Sequence, residues 1–302
     1  MSYDVVCAGV IYLDLTFAGL EGLPRPGEEH WARELLLSPG GMANTAVALA
    51  RLGMRTAVVG AIGRDLAGNY LRTMLESEGV TCRGPETARS AVTVVLPIDH
   101  DRALVSHLPE EVAAADVLSG LAPRALVVLV DQVIRAPRDT RVYAVTSHAD
   151  VRAVARGASF QLDGSHAVLA NEAEALALTG ASNAEAAATV LGESAETAVV
   201  TLGPRGALAV SHGKLVCVPA PPAEVRDATG AGDLFVAAYI WADLAGFDLT
   251  DRLRWATLYA SRSLCTLTAF AGAATLAELT EAGQPLGLKP PERNTDASST
   301  RM

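Results

Sequence analysis

An α/β fold built on a doubly wound, mainly parallel sheet flanked by helices is what this sequence predicts, and three observations predict it. Several short runs are apolar at nearly every position, as strands buried on both faces are. Between them lie segments with apolar residues at helical spacing, and strand alternating with helix gives a right-handed parallel sheet covered on both sides. Half of the 302 residues are hydrophobic and only 19% are charged, so one large core can be filled, mostly by Ala and Gly rather than aromatics. A single α/β domain of this length is ordinary.

Taken in order, residues 4–11 form an apolar run interrupted by Gly9, suited to a central strand, and lead into Tyr12-Leu13-Asp14. An acid just past the carboxyl end of such a strand stands on the edge where open α/β sheets bind ligands; on position alone Asp14 is equally a turn acid. Residues 15–38, with Gly and Pro through 20–27, read as hairpin-like strands outside the main sheet. Gly40-Gly41 precede an Ala-rich helix over 42–52, with Asn44 in its first turn and Gly53 as its stop. Residues 55–62 are another buried strand. Asp65 caps a helix whose apolar face is Leu66, Tyr70, Leu71, Met74 and Leu75, and Gly79 ends it. Residues 91–98 and 102–107 make a β-hairpin, a second set of strands off the sheet.

Residues 125–131 and 141–146 return to buried-strand composition, whereas 149–165 show helix-compatible residues and Asp163-Gly164 without clear caps. A short strand at 167–170 runs into Asn171-Glu172-Ala173-Glu174 and a helix to Leu178. A helix follows over 184–191, then a strand over 197–202 ending in the turn Gly203-Pro204-Arg205-Gly206, then a hairpin of 207–210 with 214–218. Helices are expected over 234–244, 249–267 and 275–281, with a turn at Gly272. Residues 1–285 make one domain, and the polar, Pro-containing end (286–302) reads as a mobile tail.

Charge and cysteine usage narrow the function. With 24 basic against 34 acidic residues, a net charge of −10 and no basic run, nucleic acid and anionic membrane are poor partners. Cys7, Cys82, Cys217 and Cys265 form no C-x-x-C pair, which argues for a reducing compartment and against structural zinc. No apolar stretch reaches the roughly 20 residues a membrane helix needs, and the N-terminus lacks a basic leader. The expectation is a cytoplasmic protein.

The stretch Asp227-Ala228-Thr229-Gly230-Ala231-Gly232-Asp233-Leu234-Phe235 asks for chemistry. Its glycines let successive N–H groups converge at the positive end of the helix that follows, a place for a phosphate without any basic side chain. Asp233 then stands out, because a carboxylate there repels the phosphate unless it is needed to accept a proton.

Two signatures make the chain resemble the PfkB, or ribokinase-like, family of sugar and nucleoside kinases over most of residues 4–280. The first is Gly40-Gly41 with Asn44 and Ala46, then Gly53, Gly60, Gly63, Asp65 and Gly68; the second is Asp227-x-Thr229-Gly230-Ala231-Gly232-Asp233-x-Phe235. The resemblance implies a ribokinase-like fold with a small β-strand lid from roughly 12–38 and 88–108, and ATP-dependent transfer of a phosphoryl group to an alcohol of a sugar, or alternatively of a nucleoside. It implies that Asp233 is the general base and that the Gly230, Ala231 and Gly232 amides are the anion hole. Asp14 becomes the acid that holds acceptor hydroxyls, with Gly40, Gly41 and Asn44 shaping the same pocket. Asn171 and Glu174 match an Asn-x-x-Glu pattern that organises Mg²⁺ through its waters; the alternative is a helix cap with an acid in the first turn. Thr201, Gly203 and Gly206 resemble the nucleotide-side turn. Asp227 and Thr229 are where many members hold a monovalent cation such as K⁺, with 270–275 supplying further oxygens. A homodimer through the lid is the partner the resemblance suggests.

The chain departs from the family pattern in places. Asp163-Gly164-Ser165 stands where an Asp-Pro-Asn strand end is usual, Ala256-Thr257-Leu258-Tyr259 lacks the Asn that often faces adenine, and the segment before Gly272 is longer than usual. His30, His100, His107, His148, His166 and His212 have no ligand spacing and read as surface or lid residues, with His107 and Arg102 placed in the lid within reach of a substrate or phosphate. Trp31 reads as lid packing. A non-catalytic sugar or nucleotide sensor on the same fold is the rival class, but the glycine pair and Asp233 are both present. A nicotinamide site lacks its third glycine, and no G-x-x-x-x-G-K-[ST] run is found.

Overall fold

The computed structural model describes residues 2–98, 101–109, 117–118, 120–132, 139–158, 160 and 162–291. The chain begins with β1 (Val5–Ala8), β2 (Ile11–Ala18), β3 (Glu34–Gly41), α1 (Met42–Arg51), β4 (Thr56–Val59), β5 (Ile62–Gly63), α2 (Leu66–Ser77), β6 (Thr81–Arg83), β7 (Glu86–Thr87), β8 (Ala91–Ile98) and β9 (Asp101–His107). It continues with β10 (Ala125–Leu129), β11 (Arg141–Val145), α3 (His148–Val154), β12 (Ser165–Asn171), α4 (Glu172–Thr179), α5 (Ala184–Leu191), β13 (Ala195–Thr201), β14 (Ala207–Ser211) and β15 (Lys214–Val218). Helices α6 (Ala231–Leu244), α7 (Leu249–Ser263), α8 (Ala269–Gly272) and α9 (Leu276–Gly283) complete it.

The main sheet has nine strands in the order β15-β14-β13-β12-β11-β10-β1-β4-β6. It is parallel from β13 to β6, and the β14–β15 hairpin closes one end antiparallel. From β1 the chain winds outward to β4 and β6, then returns to β10 and winds the other way. The crevice between β1 and β10 is therefore the topological switch point, where ligands meet the carboxyl ends of the strands.

Alternate residues of the parallel strands divide the core in two. Val5, Cys7, Val58 and Val127 pack with Leu49, Leu234, Ile240, Trp255 and Tyr259 from α1, α6 and α7. Val6, Ala8, Ala57 and Val128 face the other side, where α5 covers β12–β14 through Ala184, Ala187, Ala188 and Leu191. Helix α6 is apolar on nearly every side because it lies between the sheet and α7, and nine of its residues are buried.

A second, four-stranded sheet in the order β3-β2-β8-β9 stands apart from the first, as the two hairpin patterns predicted. Several local expectations need correction. Asp14 does not follow the first strand; β1 stops at Ala8, and Asp14 lies inside β2, opposite Ser38. Asp65 caps α2 by accepting from Gly68 N at 2.8 Å, and Leu71 and Leu75 are buried, but Leu66, in the first turn, is 89% exposed. Trp31 is 81% exposed and so is not packed into the strands beside it. The segment that showed no caps contains α3, with a capping box of Ser147 and Asp150. Leu288, past the last helix, is buried against the core; His100 and residues 292–302 lie outside the described residues.

Candidate active site

Helix α6 starts at Gly230, whose φ of 73° is left-handed and whose added Cβ would stand 2.2 Å from Ala269 Cβ. Only glycine lets the loop enter the helix this closely against α8. A Cβ on Gly232 would meet nothing within 4 Å, and Gly232 is exposed, so the first turn of α6 is open on that side. Asp227 holds the loop in shape: its carboxylate accepts from Thr229 N at 2.8 Å and from Thr268 N at 2.9 Å.

Asp233 lies in the first turn of α6, half-buried, with Oδ2 accepting from Asn44 Nδ2 at 3.0 Å. Thr45 Oγ1 donates to the Asp233 carbonyl at 3.4 Å, so the first turn of α1 is fixed to the first turn of α6. Burial pushes the Asp233 carboxyl up to about 6; the Asn44 hydrogen bond and the Arg102 charge pull it down, and Glu174 pushes it up. Arg102 of β9 and Glu174 of α4 are thus near enough for their charges to act on Asp233. A carboxylate poised there is mostly ionised at neutral pH and still basic enough to take a proton.

Asp14 is buried and its carboxyl is pushed up to about 7, first by burial and then by the charges of Asp233 and Asp227. A Cβ on Gly40 would lie 2.0 Å from Asp14 Oδ2, so Gly40 is the gap into which the carboxylate fits. Gly41 is the N-cap of α1, and Asn44 is buried beside it.

The residues expected to face a nucleotide come together at the carboxyl ends of β12 and β13, where Asn171 and Thr201 are paired. Asn171 and Glu174 form a reciprocal capping box at 2.9 and 3.2 Å, so the cap reading of this pair is correct in geometry, and it fixes where Glu174 points. Gly203 and Gly206 follow in a 3₁₀ turn, and Arg205 pairs with Glu172.

In the segment expected to supply a monovalent cation with further oxygens, several carbonyls are engaged within the protein. Phe270 and Ala273 carbonyls accept from Arg51 Nη1 at 2.8 and 2.6 Å, and Ala274 O accepts from Tyr259 Oη at 2.7 Å. The Arg51 guanidinium is also bound in a fork to Glu78 and lies 4.8 Å from the Phe270 ring centroid. A fixed guanidinium thus donates to two of the carbonyls of this segment. Thr229 Oγ1, by contrast, is buried and has no hydrogen-bond partner among the described residues.

Two contributors escaped the sequence reading. Thr146 Oγ1, just past β11, donates to Glu174 Oε2; its place at a strand's carboxyl end was the available signal. Thr268, with a φ of 68° unusual for a β-branched residue, gives its N–H to Asp227, and no local pattern announces it. Among the described residues no three His, Cys, Asp or Glu side chains gather as a metal site.

Residues 3–271 match the model of the pfkB family of carbohydrate kinases. The chain belongs to that family. It is therefore a phosphotransferase with an alcohol acceptor. A ribokinase from Bacillus subtilis (strain 168) is 28% identical over 272 residues, covering 85% of this chain and 92% of the relative. Among solved structures, a Thermotoga maritima ribokinase superposes with a TM-score of 0.77 at 21% identity, covering 93% of this chain and 99% of that one. An Arabidopsis thaliana ribokinase complexed with ribose and ATP gives a TM-score of 0.72 at 22% identity over the same shares. Among the described residues no helix is long and apolar enough to cross a membrane.

Proposed function

We propose that this pfkB kinase transfers the γ-phosphate of ATP to a hydroxymethyl or other alcohol group of a small sugar, with Asp233 as general base. The observation that carries the reading is Asp233 itself, a carboxylate raised to about 6 and aimed by Asn44 beside an open helix N-terminus. The Arabidopsis relative's ribose and ATP fit the same assignment.

The acceptor rests on Asp14, Gly40, Gly41 and Asn44. Its hydroxyl proton passes to Asp233 as the acceptor oxygen bonds to the γ-phosphorus and the bridging oxygen leaves with ADP. Charge gathering on the transferring oxygens meets the Gly230, Ala231 and Gly232 amides and the α6 N-terminus. Asn171, Glu174, Thr201, Gly203 and Gly206 hold the nucleotide side. Mg²⁺, when bound, would neutralise phosphate charge, with Glu174 reaching it through water. The orphaned Thr229 Oγ1, near Asp227, is an oxygen that K⁺ would use, but the carbonyls bound by Arg51 and Tyr259 are engaged, and no step depends on that ion.

The four-stranded sheet would act as a lid that excludes water from the phosphoryl group. Leu35 and Leu37 on one edge and Leu104 and Val105 on the other are exposed, apolar surface on which a second copy could pair. An ATP-consumption screen over sugars and nucleosides tests the reading. Asp233→Asn should lower turnover by about 10²–10⁴ with ATP affinity retained. Retained turnover would remove Asp233 from the base role, and nucleosides outrunning sugars would favour the nucleoside alternative.

A further inference from the structure

Strand register in the small sheet places four polar side chains in one row. Asp14 is opposite Ser38 on β3 and Thr93 on β8, and Thr93 is opposite Ser106 on β9. Residues directly opposite one another in a sheet share a face, so Ser38, Asp14, Thr93 and Ser106 stand side by side across all four strands. Thr93 Oγ1 and Ser106 Oγ lie 3.0 Å apart, which confirms the shared face.

That face is the one turned to the active site. The Asp14 carboxylate lies against Gly40, where a Cβ would stand 2.0 Å from Oδ2, and Gly40 and Gly41 lead straight into α1, whose Asn44 bonds Asp233 at 3.0 Å. Arg102 is paired with Pro97, two steps of two along β8 from Thr93, and so lies on the same face. Ser38, Asp14 and Thr93 are buried, while Ser106 is exposed. The row thus runs from a buried serine, carboxylate and threonine to an open serine, so that polar groups reach from Asp14 to solvent along one line. The next row outward, Leu36, Thr16, Val95 and Leu104, is mostly apolar, so the polarity belongs to the Asp14 row.

We infer that Thr93 and Ser106 extend the acceptor site beyond Asp14 and determine specificity, reading a third hydroxyl of a free polyhydroxylated sugar next to the pair held by Asp14. Neighbouring strands are about 4.8 Å apart, so Thr93 meets a group roughly one sugar carbon beyond the diol. In a nucleoside that position carries the base, a flat ring that two mutually bonded hydroxyls serve poorly. The selectivity thus favours free sugars. It rests on the kinase reading for the identity of the site, but the contacts are made on binding and are measured without turnover.

The test is calorimetric binding of D-ribose, D-fructose, their monodeoxy analogues and adenosine to the full chain, followed by steady-state kinetics. Thr93→Val, which keeps shape and removes the hydroxyl, should raise Kd for the best sugar by about 3- to 10-fold, the loss of one uncharged hydrogen bond, with KM for ATP unchanged. Thr93→Ser should stay within about twofold of the parent. One monodeoxy sugar should lose the same factor on the parent and nothing further on Thr93→Val. Ser106→Ala should reproduce part of the effect. The inference is overturned if Thr93→Val and Ser106→Ala leave Kd unchanged, if Thr93→Ser fails as Thr93→Val does, if adenosine binds better than the sugars, or if none of these ligands binds. Sugar binding that follows this pattern without phosphate transfer would overturn the kinase reading and leave this one standing.

Discussion

Removing the Asn44 side chain should shift the pH at which the enzyme gains activity. Asp233 must be ionised to take a proton, so kcat/KM for the acceptor should rise through an acid limb near the Asp233 value of about 6. Asn44 Nδ2, 3.0 Å from Oδ2, stabilises the ionised form. A hydrogen bond to a charged group is worth about 1.5–3 kcal/mol; because Asp233 is half-exposed, water replaces part of it, and the low end applies. At 1.36 kcal/mol per pH unit, Asn44→Ala should move the limb up by about one unit. At pH 7 the variant would then run at about half of its own high-pH plateau. Initial rates from pH 5 to 9 at saturating ATP measure this, and the plateau height is read separately because Asn44 also shapes the acceptor pocket. Glu174→Gln should move the limb down, since a like charge is removed. A limb that stays in place, or moves down, in Asn44→Ala would show that Asp233 is not the group whose ionisation limits the rate.

Asp14→Ala and Gly40→Ala should both raise the acceptor KM with little change in KM for ATP, the first by removing the carboxylate and the second by forcing a Cβ to within 2.0 Å of where it lies; an unchanged acceptor KM in Asp14→Ala would dismiss that residue. Chelating Mg²⁺ should abolish transfer, and metal-independent turnover would contradict the mechanism. At the far end of α6, Asp243 is buried among Tyr143, His166, Arg141 and Arg252. Burial would raise its carboxyl, but hydrogen bonds from His166 and Tyr143 and the Arg252 charge hold it at about 2 against an ordinary 3.8. A depressed carboxyl stabilises the fold above its unfolded value, and that share, about 2 kcal/mol, is lost as pH falls from about 4 toward 2. Asp243→Asn should therefore lower stability by about that much at neutral pH in thermal melts, with parent and variant converging below pH 4. Parallel loss in both would exclude Asp243 as the source.

Legibility in the sequence followed the range of the forces involved. Helix α5 was readable to the residue, because Ala184–Leu191 is Ala-rich and stands behind an Asn cap. Helix α3 was not, although Ser147-x-x-Asp150 is a capping pattern, because seven residues are too few for a periodicity to declare itself. The hairpin at Ala91–Ile98 and Asp101–His107 was visible from its turn, whereas the pairing of Asp14 with Thr93, which builds the polar row, joins strands some 80 residues apart and leaves no mark in either.

By itself the sequence determined the alternation of buried strands and helices, the glycine-rich entry to α6 and the presence of a carboxylate in its first turn, since each follows from backbone torsions and burial within a few residues. Only the tertiary structure decided that Asp14 belongs to the small sheet, that Asn44 rather than a basic residue holds Asp233, and that Arg51 takes the carbonyls of Phe270 and Ala273. The physical reason is separation along the chain: Asn44 and Asp233 lie 189 residues apart, and Arg51 and Phe270 lie 219 apart. Which groups meet over such distances is fixed by strand register and helix packing, which bring the two ends of the chain to one crevice.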